Sequence, residues 1–252
     1  MYAERLEGGI EVVYLNQPRK KNALSGEMMT KLDALLRAAD VDDGVRVVVL
    51  RGAGDDFSSG GDLDQGPALE PGPEGARKTL RRYLAVVRTI RTMSKPVVAM
   101  VDGYAVGGAF ALVCASDLVC ASERALFVPA FCQIGIVPEM GMMKLLPDLV
   151  GPQRAKELLF FGGKIPALQL YDWGVVNRVF PTETLEADTL WFARQLAGMP
   201  DASIHLTKNI MNALADGNLE ACLEAESTAS PPPWRNLPAE PCEGETIWPS
   251  TT

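Results

Sequence analysis

The feature that most constrains the fold is a pattern that occurs twice, an apolar β-branched run that ends in a glycine-rich turn. Residues 97–101 (V-V-A-M-V) have the length and composition of a buried strand, and Asp102-Gly103 follows with turn chemistry. Gly107-Gly108 then opens A-F-A-L-V, the start of a helix whose first turn carries no bulky side chain. A helix start of this kind offers unpaired backbone N–H groups and the positive end of the helix dipole. Glycine there lets another group come within hydrogen-bonding distance of the main chain. Taken alone, the two glycines fit close helix–strand packing at least as well.

The earlier copy shifts that balance. Residues 45–50 (V-R-V-V-V-L) read as a buried strand, followed by R-G-A-G-D-D and then F-S-S-G-G-D-L at 57–63. Two such loops side by side can each give one N–H to the same oxygen, the two-donor geometry of an oxyanion hole. Ser59 and Gly108 are the expected donors.

The chain resembles the enoyl-CoA hydratase/isomerase, or crotonase, superfamily in four ordered blocks. These are N-Q-P-R-K-K-N-A-L at 16–24, F-S-S-G-G-D-L at 57–63, K-P-V-V-A-M-V-D-G-Y-A-V-G-G at 95–108 and G-I-V-P at 135–138. The resemblance covers about residues 3 to 225. It implies an α/β fold, a crotonase-like spiral of repeated ββα units with a helical C-terminal region. Expected boundaries are a core over 1–195, helices over 196–229 and a Pro-rich tail over 230–252. It also implies an acyl-CoA substrate whose thioester carbonyl sits between the N–H groups of Ser59 and Gly108. Arg19 and Lys20 then fall near the CoA phosphates, and Gly60, Asp62, Leu63, Gly107 and Phe131 line the substrate site. For any single lysine or arginine, a solvated face is the more common role.

The family's two hydratase glutamates fall on Ala111 and Phe131, so the usual acid–base pair for adding water is missing. Glu139, in V-P-E-M-G, is the nearest replacement, expected at the start of a helix. Some 3-enoyl-CoA isomerases of the family carry their only base at this position. An N-terminal helix carboxylate favoured by the dipole is the competing role. The resemblance thus implies a shift of a double bond from 3-enoyl-CoA to 2-enoyl-CoA. Hydration, another crotonase-type lyase or hydrolase reaction, or acyl-CoA binding without turnover are the alternatives.

Other classes have less support. A net charge of −8 argues against a general nucleic-acid surface. Five cysteines without CxxC spacing and a single histidine, His205, give neither a disulfide framework nor a zinc site. Ser58 and Ser59 lack a nearby base in sequence for a nucleophilic role. The third glycine of a dinucleotide fingerprint would fall on Phe57. No cofactor is expected beyond the coenzyme A carried by the substrate, and no metal. The N-terminus lacks signal-peptide regions and no run of eighteen apolar residues occurs, so a cytoplasmic protein without membrane insertion is expected. The family's discs imply a homotrimer or hexamer.

In order, strands are expected at 10–15, 45–50, 97–101, 118–121, 125–128 and 175–180. Helices are expected at 27–39 capped by Ser25, then with Leu80, Leu84, Val87 and Ile90 inward, then after Gly108. Further helices are expected at 142–149, 152–161, 167–172, 183–198, 202–215 and 218–229. A loop rich in Pro and Gly, able to act as a lid, is expected at 65–75.

Overall fold

A computed structural model describes residues 1–64, 72–217 and 223–224. The chain opens with the hairpin β1 (Tyr2–Leu6) and β2 (Ile10–Leu15), then a 3-10 turn at Pro18–Lys20 and α1 (Gly26–Val41). The Ser25 hydroxyl accepts from the Met28 N–H, the cap that its position before the apolar stripe predicts. Next come β3 (Val47–Gly52), α2 (Gly72–Thr92), β4 (Val97–Val101), β5 (Tyr104–Val106) and α3 (Gly108–Ala115). They are followed by β6 (Leu118–Ser122), β7 (Leu126–Val128), a 3-10 turn at Cys132–Ile134, α4 (Met142–Val150) and α5 (Pro152–Phe161). β8 (Ile165–Pro166), α6 (Ala167–Asp172), β9 (Arg178–Phe180), α7 (Leu185–Ala197) and α8 (Asp201–Ala215) complete the order.

Six strands form one sheet in the order β1-β2-β3-β4-β6-β9, parallel except for the β1–β2 hairpin. Its central strands are apolar on both faces because both faces are covered. Val48, Leu50, Val97, Ala99 and Val101 enter the main core with α1, α2 and α3, whereas Val47, Val49, Val98 and Met100 pack under α7. β5, β7 and β8 form a second sheet. The chain therefore leaves β4 in the first sheet, turns at Asp102-Gly103 and enters β5 in the second, and β6 and β7 repeat the step. This is the expected spiral of ββα units, shown here in the α/β architecture.

The step after β3 follows the same path. The Ser58 N–H donates to the Tyr104 carbonyl and the Val106 N–H to the Ser58 carbonyl (2.8 and 3.1 Å), a parallel bridge between Ser58 and Ala105. Both glycine loops thus leave adjacent, parallel stretches of backbone.

Several boundaries differ from the sequence expectation. β3 begins at Val47, because the N–H groups of Val45 and Arg46 donate to Asp42 and Gly9 instead of extending the ladder. β9 is shorter, since the Val175 and Val176 N–H groups both donate to the Leu170 carbonyl. α2 begins at Gly72, inside the expected loop, and residues 65–71 of that loop lie outside the described residues. In the expected helix 218–229 only Leu223 and Glu224 are described, both helical, and the tail from 230 lies outside the described residues. β1, β5 and β8 are additional to the strands that the sequence predicts. No helix among the described residues is long and apolar enough to cross a membrane.

Candidate active site

The first glycine loop is fixed by Leu24. Its N–H donates to the Gly60 carbonyl (2.7 Å) and its carbonyl accepts from the Asp62 N–H (2.9 Å), so Leu24 and Gly61 form a parallel bridge. In a parallel bridge the two neighbours of a residue make the bonds and its own N–H points to the other side. The Gly61 N–H accordingly has no acceptor among the described residues.

Ser59 does not play the part expected from the sequence. Its N–H donates to the Lys21 carbonyl (2.8 Å) and its hydroxyl to the Lys20 carbonyl (3.1 Å). The Gly60 N–H is likewise engaged, by the Ser58 hydroxyl oxygen at 3.1 Å. Between Phe57 and Asp62, the donor left without an acceptor among the described residues is therefore Gly61, two residues later. The left-handed φ of Gly60 (+87°) brings the loop so close to the second strand that a Cβ there would lie 2.6 Å from the Val106 carbonyl oxygen.

In the second loop the two glycines open a helix, as the sequence predicts. Gly107, at φ +51°, donates to the Val128 carbonyl (2.7 Å), and Gly108 is the first residue of α3. The first intrahelical bond into the Gly107 carbonyl comes from Ala111, and the Gly108 N–H, at the start of the helix, has no acceptor among the described residues. A Cβ at Gly108 would lie 2.9 Å from the Met140 sulfur and 3.7 Å from Leu24 Cδ1. One at Gly107 would meet the Phe131 ring at 3.9 Å. Leu24 is thus common to both loops: its backbone orients Gly61 and its side chain packs beside Gly108.

Glu139 is half-buried and sits immediately before Met140, in the loop that precedes α4 rather than on the helix itself, which starts at Met142. Its carbonyl accepts the Met142 N–H at 3.2 Å. Met140 has φ +61°, a left-handed conformation that a side chain of this size adopts only when its surroundings impose it. That conformation costs on the order of 1–3 kcal/mol, and the Met140 sulfur, on the residue next to Glu139, lies beside Gly108.

Tyr83, on α2, is 5% exposed and donates to the Leu24 carbonyl at 2.6 Å. Burial pushes its phenol well above the ordinary value, and the negative charges of Glu139 and Asp62 push it further. The phenol therefore shares a neighbourhood with both carboxylates. Tyr83, Met140 and Gly61 are not among the residues to which the sequence points. Only the V-P-E-M-G context around Met140 carried a usable signal.

Among the other expected residues, Asp62 is buried, pairs with Lys20 (3.2 Å) and accepts the Asp64 N–H (3.0 Å), so it orders its own loop. Lys20 also pairs with Asp64 (3.0 Å). Arg19 and Leu63 are exposed, and Phe131 and Ala111 are buried. His205 lies on α8.

A spiral of ββα units with two adjacent glycine loops defines an α/β fold of crotonase type. The chain belongs to the enoyl-CoA hydratase/isomerase family, whose sequence profile matches residues 5–232. It is 37% identical over 222 residues to 4-chlorobenzoyl coenzyme A dehalogenase-1 of an Arthrobacter species, covering 86% of this chain and 80% of that protein. Enoyl-CoA delta isomerase 2 of Rattus norvegicus is 34% identical over 232 residues, covering 90% of this chain and 58% of the rat protein. The crystal structure of an enoyl-CoA hydratase/isomerase from Xanthobacter autotrophicus Py2 superposes with a TM-score of 0.83 at 34% identity, over 91% of this chain and 85% of that one. The protein is thus an acyl-CoA enzyme of this family.

Proposed function

We propose that the protein moves the double bond of a 3-enoyl-CoA to the 2-position, with Glu139 as the base and the N–H groups of Gly61 and Gly108 as the oxyanion donors. The observation that carries this reading is the packing of the Met140 sulfur against Gly108, which ties the residue next to Glu139 to the mouth of the second loop. The carboxylate removes a proton from C2, the enolate oxygen accepts both N–H groups, and the carboxylic acid returns the proton at C4. One group serves both steps because the intermediate is held between them. The dipole of α3 adds to the stabilisation of the negative oxygen. Each donor of such a hole is worth about 3 kcal/mol in the transition state. No separate cofactor takes part, and coenzyme A enters with the substrate.

A second reading has a specific support, the 37% identity to a dehalogenase over most of that protein's length. There the Glu139 carboxylate would act as a nucleophile toward an activated aryl carbon rather than as a base.

One pair of proteins tests these readings, wild type and Glu139→Gln, which keeps the size of the side chain and removes the base. Wild type should isomerise 3-enoyl-CoA and hydrate 2-enoyl-CoA weakly or not at all. Glu139→Gln should lose about 100- to 10,000-fold in kcat with little change in KM. Fast hydration by wild type, or undiminished isomerisation by the variant, would overturn the assignment of the base. Halide release from 4-chlorobenzoyl-CoA without isomerisation would move the protein to the second reading. Tight binding of 2- and 3-enoyl thioesters without turnover would make it an acyl-CoA-binding protein.

A further inference from the structure

The reaction described above gives no part to Tyr83, although it is a buried phenol within electrostatic range of the base. Its hydroxyl proton is committed to the Leu24 carbonyl by a 2.6 Å hydrogen bond. That carbonyl also accepts the Asp62 N–H, and the Leu24 N–H holds the Gly60 carbonyl. Gly61 lies between these two attachments, so the direction of its N–H is set by where Leu24 is held. The α2 helix that carries Tyr83 is anchored by Leu80, Leu84, Val87 and Ile90, all buried in the main core. The phenol therefore joins a rigid helix to the one backbone segment that aims the Gly61 donor.

We infer that Tyr83 is a positioning residue of the oxyanion hole: through the Leu24 carbonyl it fixes the direction of the Gly61 N–H. The inference rests on the proposed role of Gly61. Burial and the neighbouring carboxylates keep the phenol protonated, so it remains a neutral donor and takes no proton-transfer step. The chemistry of the bond also makes the test clean. Tyr83→Phe keeps the ring in the core, and the Leu24 carbonyl retains the Asp62 N–H, so no buried acceptor is left unpaired.

The experiment compares wild type, Tyr83→Phe and Gly61→Pro by difference infrared spectroscopy of the bound thioester carbonyl. Crotonyl-, octenoyl- or cinnamoyl-CoA serves as the probe, whichever binds most tightly. Kinetics on the matching 3-enoyl-CoA and a thermal melt accompany it. In wild type the carbonyl stretch should fall below its value in water. Tyr83→Phe should show a smaller fall, with kcat lowered about tenfold and KM little changed, the size expected from losing one hydrogen bond that acts in the transition state. A Tyr83→Phe protein with the full wild-type shift would overturn the inference, whatever happens to its melting temperature, while leaving the hole intact. Absence of a shift in wild type, or an unchanged shift in Gly61→Pro, would overturn the hole itself and the inference with it.

Discussion

Gly61 and Ser59 show why the donor of the first loop could not be assigned from the sequence. In a regular strand, N–H groups two residues apart point the same way, so the two residues would be equivalent. The left-handed Gly60 between them breaks that phase, and the pairing of each neighbour then decides which N–H is left over. Lys21 takes Ser59, Leu24 takes Asp62, and Gly61 remains. The partners come from a turn about forty residues earlier in the chain, which no local pattern in F-S-S-G-G-D-L encodes. Gly61 is testable by two substitutions, one that keeps the backbone N–H and one that removes it. A Cβ there meets nothing within 4 Å, so Gly61→Ala should retain close to wild-type activity. Gly61→Pro removes the N–H and should lower kcat by about 100- to 1000-fold. Circular dichroism and substrate binding would establish that the Pro variant is folded, and a folded variant with wild-type kcat would remove Gly61 from the mechanism.

At the scale of elements, legibility followed the strength of the local signal. β4 and α3 are readable because one is wholly apolar and the other begins at two glycines, and α1 because Ser25 precedes a clear apolar stripe. β5 and β8 have three and two residues, too short for any periodicity, and they form because neighbouring backbones offer partners. The turn that carries the chain from β4 to β5 depends on Asp102. Its carboxylate accepts the Ser122 hydroxyl (2.6 Å), Arg124 (2.7 and 2.8 Å) and the Gly103 N–H (3.0 Å). Burial by itself would raise the carboxyl, but the hydrogen bonds from Arg124, Ser122 and Gly103 outweigh it and hold the pKa below the ordinary carboxylate value. A carboxyl lowered in the folded state stabilises the fold above its unfolded value, about pH 4, and that contribution disappears as pH falls through the folded value. Asp102→Asn should therefore cost about 1.5–3 kcal/mol near neutral pH. The gap in melting temperature between variant and wild type should narrow as pH falls from about 7 to 3. A gap independent of pH would show that the charge of Asp102 does not contribute.

For the whole molecule, the distribution of side chains on α8 is the main feature that the core does not explain. Positions 208, 212 and 216, on or just past the helix, face the body of the protein through polar contacts. Lys208 pairs with Asp117 (2.7 Å) and donates to the Lys95 carbonyl (2.9 Å), Asn212 donates to the Arg91 carbonyl (2.9 Å), and Asp216 pairs with Arg91 (2.8 Å). Positions 206, 210 and 214 lie about 200° around the helix from these and are apolar. Leu206, Ile210 and Leu214 are 57%, 57% and 81% exposed, and Met211 beside them is 64% exposed. A helix that docks by its polar side and presents an apolar ridge leaves an unsatisfied surface, which in a water-soluble setting calls for a partner. A second copy of the chain offers the same ridge, and closed symmetry would cover every copy. Copies are accordingly expected to associate through this face, and the family resemblance implies a homotrimer or hexamer. Light scattering at micromolar concentration should give a multiple of the chain mass, and the double substitution Ile210→Glu with Leu214→Glu should reduce it while the inner contacts of α8 keep each copy folded. A wild-type monomer, or an assembly indifferent to both charges, would show that the ridge is covered in another way.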